Sequence, residues 1–150
     1  MTHQKRPTLH EVAPEAYRAV RAVEEYLQRC GLEKKLVELV KLRASQINGC
    51  AFCLDMHSRD ARAGGEAEQR LYLLNAWREA PLYTERERAA LAWTEHLTRV
   101  STKGAPDEVY DLLCKAFSPV EIAHLTLLIG QINLWNRIAI GGAMRPARAA

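Results

Sequence analysis

Residues 36–57 have the sequence LVELVKLRASQINGCAFCLDMH. The first half of this stretch repeats apolar residues at the three- and four-residue spacing of a helix. Asn48-Gly49 is a typical helix end, and a second helix can begin at the cysteine that follows. The stretch therefore predicts two consecutive helices joined by a tight turn, at about 33–48 and 50–64.

Helical spacing continues over the rest of the chain, whereas the period-2 alternation of strands is nearly absent. Thr84 with Glu87, and Ser118 with Glu121, form capping boxes, and Pro119 stands at the first helical position of the second one. Further helices are predicted at about 11–30, 66–76, 84–100, 106–117 and from 119 onward.

The composition is that of a folded globular chain. Its 150 residues are 48% hydrophobic and 26% charged, which excludes disorder, and the net charge of +3 is scattered, so nucleic acid is not an expected partner. No linker or internal repeat divides the chain. We predict an all-α, single-domain bundle of about seven helices over residues 1–150, with 1–9 and 145–150 as flexible ends.

The apolar stretch Val120–Ile140 is long enough to cross a bilayer, but several charged or amide side chains interrupt it, which lipid disfavours. The polar start, Met1–Thr8, lacks the apolar core of a signal peptide. Four cysteines in such a chain favour one special pair over a disulfide framework. We therefore expect a cytoplasmic protein that does not act at a membrane.

Apolar residues of the predicted helix at 33–48 cover an arc of roughly 220°, too wide for a surface helix. The last helix has a similarly broad arc. A bundle of this size has little room for two almost fully buried helices, so we expect a homo-oligomer. The alternative is that one helix lies at the centre of the bundle.

Cys50, Cys53 and His57 are spaced to share one face of the helix at 50–64. Two thiols one turn apart can form a disulfide, and the helix N-terminus favours thiolate over thiol. His57 lies one turn beyond Cys53, where it can accept or relay a proton. Reduction of a peroxide also needs an acid for the leaving oxygen, and Glu38 is a candidate.

Other interpretations of these residues stay open. The cysteine pair could be half of a zinc site, with His57 and one of Cys114, His10 or His96 completing it. The pair could also be an inert part of the core of a structural oligomer. Glu38 alone is most often a solvated surface carboxylate. Cys30 and Cys114 are expected to fill the core.

The residues Glu38, Leu42, Arg43, Ser45, Gln46, Asn48, Cys50, Cys53 and His57 form the pattern E-x3-LR-x-SQ-x-N-x-C-x2-C-x3-H. This pattern resembles the AhpD-like alkylhydroperoxidase group of the carboxymuconolactone decarboxylase superfamily. The later stretches ALAWTE at 90–95 and INLWNR at 132–137 are also similar to its members, so that the resemblance runs from about residue 10 to Met144.

The resemblance implies an all-helical trimer or hexamer that reduces small hydroperoxides without a bound cofactor or metal. It implies that Cys53 is the peroxidatic cysteine and Cys50 the resolving one, with Glu38 and His57 as the proton relay. A lipoylated or thioredoxin-like dithiol protein would regenerate the pair. Some members have a histidine where this chain has Phe52, which implies weaker activity or another substrate here.

Overall fold

The computed structural model describes residues 5–148, and within that range the protein is all-helical, as predicted. Residues 1–4 and 149–150, parts of the two ends expected to be flexible, lie outside this range. The helices are α1 (Leu9–Val12), α2 (Pro14–Leu27), α3 (Lys34–Asn48), α4 (Ala51–Ala63), α5 (Glu68–Tyr72), α6 (Glu85–Thr98), α7 (Val100–Lys103), α8 (Asp107–Ala116) and α9 (Pro119–Gly141), with a 3-10 turn at Leu74–Ala76.

The described range holds nine α-helices where the sequence predicts about seven, because two short pieces, α1 and α7, are additional. Pro14 disfavours helical backbone at Ala13, which therefore separates α1 from α2. The helix predicted at 66–76 is a five-residue helix followed by the 3-10 turn. These differences leave the fold class unchanged.

Both predicted capping boxes are confirmed. The Thr84 hydroxyl accepts from the Glu87 N–H at the start of α6, and Ser118 does the same for Glu121 at the start of α9. Each cap contributes about 1 kcal/mol and fixes the residue at which its helix begins.

Helix α3 lies at the centre of the bundle, where it packs against α4, α6 and α9. Its residues Leu39, Val40 and Ala44 have no exposed surface. The central position accounts for the wide apolar arc of this helix, so this arc does not require a second subunit. The apolar arc of α3 therefore does not bear on oligomerisation, which stays a prediction.

Helix α9 behaves differently because one apolar stripe stays on the surface. Val120, Leu127 and Leu134, spaced by seven residues, are 63%, 43% and 40% exposed. Its opposite side contributes Leu125, Leu128 and other fully buried residues to the core. Among the described residues, no helix has the length and apolarity needed to cross a membrane.

Candidate active site

The two cysteines lie at the turn between α3 and α4. Gly49 adopts a left-handed conformation (φ 67°) that ends α3, and Cys50 is the N-cap of α4. Cys50 therefore precedes the first helical residue, where the sequence predicts it as the first residue of the helix. Its Sγ accepts from the Cys53 N–H at 3.3 Å, and the two sulfurs are joined in a disulfide. Both residues are buried, at 1% and 2% exposure.

Glu38 and His57 meet because α4 folds back along α3. The His57 Nδ1 lies 2.9 Å from Oε2 of Glu38, and their side chains are 8% and 20% exposed. Most glutamates are solvated surface carboxylates, but Glu38 is not one of them. The contact holds the imidazole in one orientation and leaves Nε2 as its other nitrogen for chemistry.

A cavity of about 890 Å³ opens beside these residues, between α2, α3, α4 and the C-terminal part of α9. Glu38, Cys53 and His57 line it together, whereas Cys50 is not part of its wall. Much of the remaining wall is apolar or aromatic, from residues such as Tyr17, Leu27, Val37, Phe52, Met56, Trp135, Ile138 and Met144. The arrangement can admit an organic molecule to Cys53 with the Glu38–His57 pair next to it.

Sequence reasoning missed a second polar group in this wall. Lys41 of α3 forms an ion pair with Glu24 of α2, and Trp135 Nε1 donates to the other Glu24 oxygen at 3.2 Å. Both charged side chains are buried. The sequence does contain a signal for this group. Lys41 lies inside the apolar run Leu39–Leu42, where a solvated charge is not expected.

A polar network lies behind the cysteine turn and joins it to α9. The Asn48 amide donates to Asn133 and to Asn136, each at 2.9 Å, and Asn136 donates to the Ser45 hydroxyl at 3.0 Å. Asn136 is fully buried. The network fixes the C-terminal end of α3 and hence the start of the turn that carries Cys50.

In the described part of the chain, no other histidine or cysteine forms a metal-binding group with the cysteine pair, although His10 lines the same cavity as Cys53. Cys114, expected in the core, is exposed on α8, and Cys30 is half-buried. His96 Nδ1 lies 3.3 Å from the Gly104 carbonyl oxygen, and the ring of His10 contacts that of Tyr17 at an angle of 58°. A three-residue group with spacing suited to a metal does occur there, but it consists of Glu38, His57 and Asp60, without a cysteine.

Comparisons with known proteins agree on one family. The model of the carboxymuconolactone decarboxylase family matches residues 14–96, more than half of the chain. The uncharacterised protein YdfG of Bacillus subtilis (strain 168) is 43% identical over 143 residues, which cover 95% of this chain and 97% of YdfG.

Solved structures show the same fold. A protein of unknown function from Agrobacterium tumefaciens, to which an AhpD-type antioxidant defence role is ascribed, superimposes with a TM-score of 0.93 at 46% identity. The match covers 97% of this chain and all of that one. The debrominase Bmp8 superimposes with a TM-score of 0.78 over 91% of this chain and 73% of its own, at 18% identity. That likeness concerns the fold alone, which does not determine a reaction.

Proposed function

Because the chain belongs to the carboxymuconolactone decarboxylase family and is AhpD-like within it, we propose that it is a thiol-dependent peroxidase for small organic hydroperoxides. The observation that carries this proposal is the position of Cys53. It lines a cavity with many apolar and aromatic residues in its wall, together with the Glu38–His57 pair. A nucleophile, an acid–base group and space for a substrate thus occur in one place.

In the first step, the Cys53 thiolate attacks one oxygen of the hydroperoxide. The S–O bond forms as the O–O bond breaks, the leaving alkoxide takes a proton, and the products are an alcohol and a sulfenic acid on Cys53. His57 accepts the thiol proton before the attack and returns one to the leaving oxygen, while Glu38 orients the imidazole and stabilises its charged form. Sulfur is oxidised by two electrons, and the peroxide is reduced by two.

In the second step, the Cys50 thiolate attacks the sulfur of Cys53, and the disulfide forms as the S–O bond breaks. The departing hydroxide takes a proton and leaves as water. The disulfide between Cys50 and Cys53 in the structure is the product expected from this step. The hydrogen bond from the Cys53 N–H to Cys50 Sγ holds the two cysteines one helical turn apart.

Cys53 is the better nucleophile candidate of the two. It lines the cavity, and Cys50 does not. Cys50 is the N-cap and receives more of the helix dipole, but the dipole contributes only about 0.3–1 kcal/mol at such sites. A positioned acid–base group contributes roughly a hundredfold or more in rate, which favours the cysteine nearer to His57.

Burial of the disulfide restricts its reductant. Since both cysteines are at most 2% exposed, the flat surface of a folded protein cannot reach them. A slender dithiol that enters through the cavity can attack Cys53, form a mixed disulfide with it, and leave as its own disulfide while Cys50 and Cys53 return to thiols. This favours a lipoylated protein over a thioredoxin-like one as regenerating partner.

The exposed stripe of α9 supports a homo-oligomer, in which the same stripe of neighbouring copies of this chain covers it. Gly130 lies within this helix and is exposed, and a Cβ at its position would contact nothing in its own chain. An exposed helix glycine costs about 1 kcal/mol relative to alanine, and close approach of another backbone gives it a use. We expect a trimer or a hexamer.

A thiol count combined with metal analysis tests the proposed function. In a C30S/C114S background, which removes the exposed thiol of Cys114, one equivalent of cumene hydroperoxide should remove both remaining thiols, and dithiothreitol should restore them. The rival function is a helical oligomer that holds zinc or another soft metal through Cys50, Cys53 and His57. Stoichiometric zinc in the purified protein, with no loss of thiols on addition of peroxide, would establish that rival instead.

A further inference from the structure

The ion pair between Lys41 and Glu24 lines the same cavity as Cys53 but has no part in the chemistry above. The two side chains are 7% and 9% exposed. Removing two charges from water costs more free energy than burying two apolar side chains of similar volume. Replacement of a buried ion pair by apolar residues therefore often leaves the stability of a protein unchanged. Stabilisation of the contact between α2 and α3 therefore does not by itself explain why an ion pair is present here.

The donors and acceptors of this pair do not match in number. An ammonium group has three N–H donors, and within the described residues the Lys41 group has one acceptor, Oε1 of Glu24. The other oxygen, Oε2, accepts from Trp135 Nε1. Both Glu24 oxygens are thus occupied, while Lys41 retains donors at the wall of the cavity.

Lys41 is also close to the reacting end of the cavity. It follows Glu38 by three residues on α3, so the two side chains lie on one face of the helix, about one turn apart. A small molecule with its peroxide group at Cys53 and His57 can therefore extend an oxygen a few carbons away to Lys41.

We propose that Lys41 is a substrate-recognition residue that donates a hydrogen bond to an uncharged oxygen acceptor, a carbonyl or hydroxyl, on the carbon skeleton of the hydroperoxide. This inference rests on the proposed peroxidase function and names its substrate class. The acceptor is uncharged because Glu24 already neutralises Lys41, so no net charge offsets the cost of moving a carboxylate from water to this position. The other cations of the wall, Arg21, Lys34 and Lys35, are exposed, so water and salt screen them.

Three aryl hydroperoxides of matched shape test this specificity: cumene hydroperoxide and its para-acetyl and para-carboxylate derivatives. The measured quantity is the second-order rate constant for oxidation of the Cys50–Cys53 dithiol. A hydrogen bond to a charged donor increases binding roughly tenfold or more, so the wild-type protein should favour the acetyl compound over the parent by about that factor. It should disfavour the carboxylate.

Two substitutions separate recognition from structure. In K41M the ratio of the acetyl rate to the parent rate should fall to about one. In E24Q the rate constant for the carboxylate derivative should rise at least tenfold relative to that for cumene hydroperoxide. The negative charge of Glu24 is then gone, and the positive charge of Lys41 is no longer neutralised. The control K115M replaces an exposed lysine outside the cavity wall and should leave both ratios unchanged.

The outcomes distinguish the recognition role of Lys41 from the peroxidase function. If K41M slows all three compounds by one common factor, Lys41 is merely structural and the recognition role is wrong, whereas the peroxidase function stands. If the K41M protein does not fold, K41M/E24L, which removes both charges, replaces it in the same comparison. If none of the three compounds oxidises the wild-type dithiol, the peroxidase function fails and this inference fails with it.

Discussion

Nδ1 of His57 and Oε2 of Glu38 are 2.9 Å apart, which joins two residues separated by 19 positions across the α3–α4 turn. The contact has a chemical consequence that neither residue has alone. A carboxylate at Nδ1 favours the tautomer with a proton on Nδ1, so that Nε2 is the nitrogen free to accept a proton.

The first prediction concerns this pair. H57A and E38Q should each slow oxidation of the dithiol by hydroperoxide by roughly a hundredfold, because proton transfer to the leaving oxygen loses its positioned group. Stopped-flow measurement of thiol loss would give the rate. E108Q, which changes an exposed glutamate on α8, is the matched control and should react like the wild type. An unchanged rate in E38Q would remove Glu38 from the relay.

Local sequence pattern predicts much of this molecule. The spacing of apolar residues and the two capping boxes place the principal helices, and the i, i+3, i+7 spacing brings the cysteines and His57 to one region. These features depend on neighbours a few residues apart, so they can be recognised without knowing the packing. The Cys50 position differs by one residue because N-cap backbone is extended, whereas the spacing argument treats it as helical.

The far wall of the cavity could not be predicted in this way. Trp135 and Glu24 are 111 residues apart and meet only because α2 packs on α9. Helical periodicity does not say which helices become neighbours. The error at Cys114 has a different cause: only a narrow side of α8, which carries the fully buried Leu113, packs against the bundle, and Cys114 points about 100° away from it.

The second prediction concerns assembly. Light scattering at micromolar concentration should give a mass several times 16.9 kDa, and L127E/L134E should lower it towards that of one chain. Two buried carboxylates would oppose association through the α9 stripe. L112E is the matched control because Leu112, on α8, is 48% exposed and lies outside the stripe. A monomeric wild-type protein would show that the stripe of α9 does not join copies of this chain.

The third prediction concerns stability in acid. The N–H of Ser118 and the guanidinium of Arg86 lower the pKa of Glu121 from 4.5 to about 2. Because the folded-state pKa is depressed, this contribution to stability is fully present above about pH 4.5 and is lost as the pH falls towards 2. The stability difference between the wild type and E121Q should therefore shrink over that interval.

Urea unfolding at pH 6, 4 and 3 would measure this difference. E108Q again serves as the control, since the exposed Glu108 has no ion-pair partner among the described residues. A difference between the wild type and E121Q that stayed constant down to pH 3 would contradict the assignment.

The last prediction identifies the attacking sulfur. With Cys30 and Cys114 replaced by serine, C50S should react once with hydroperoxide and accumulate a sulfenic acid on Cys53, because the resolving thiol is absent. Dimedone should trap this species, and mass spectrometry of the peptide should locate it. C53S should give neither adduct nor turnover, since the remaining Cys50 does not line the cavity.

The two single-cysteine proteins are each other's control, because they differ only in which end of the same helical turn retains its sulfur. The dipole of α4 favours Cys50 as the more acidic thiol, whereas cavity access and the proximity of His57 favour Cys53. Reaction at Cys53 alone would show that access and proton transfer outweigh the dipole, as their magnitudes predict. Dimedone on Cys50 in C53S, with none on Cys53 in C50S, would reverse the two roles.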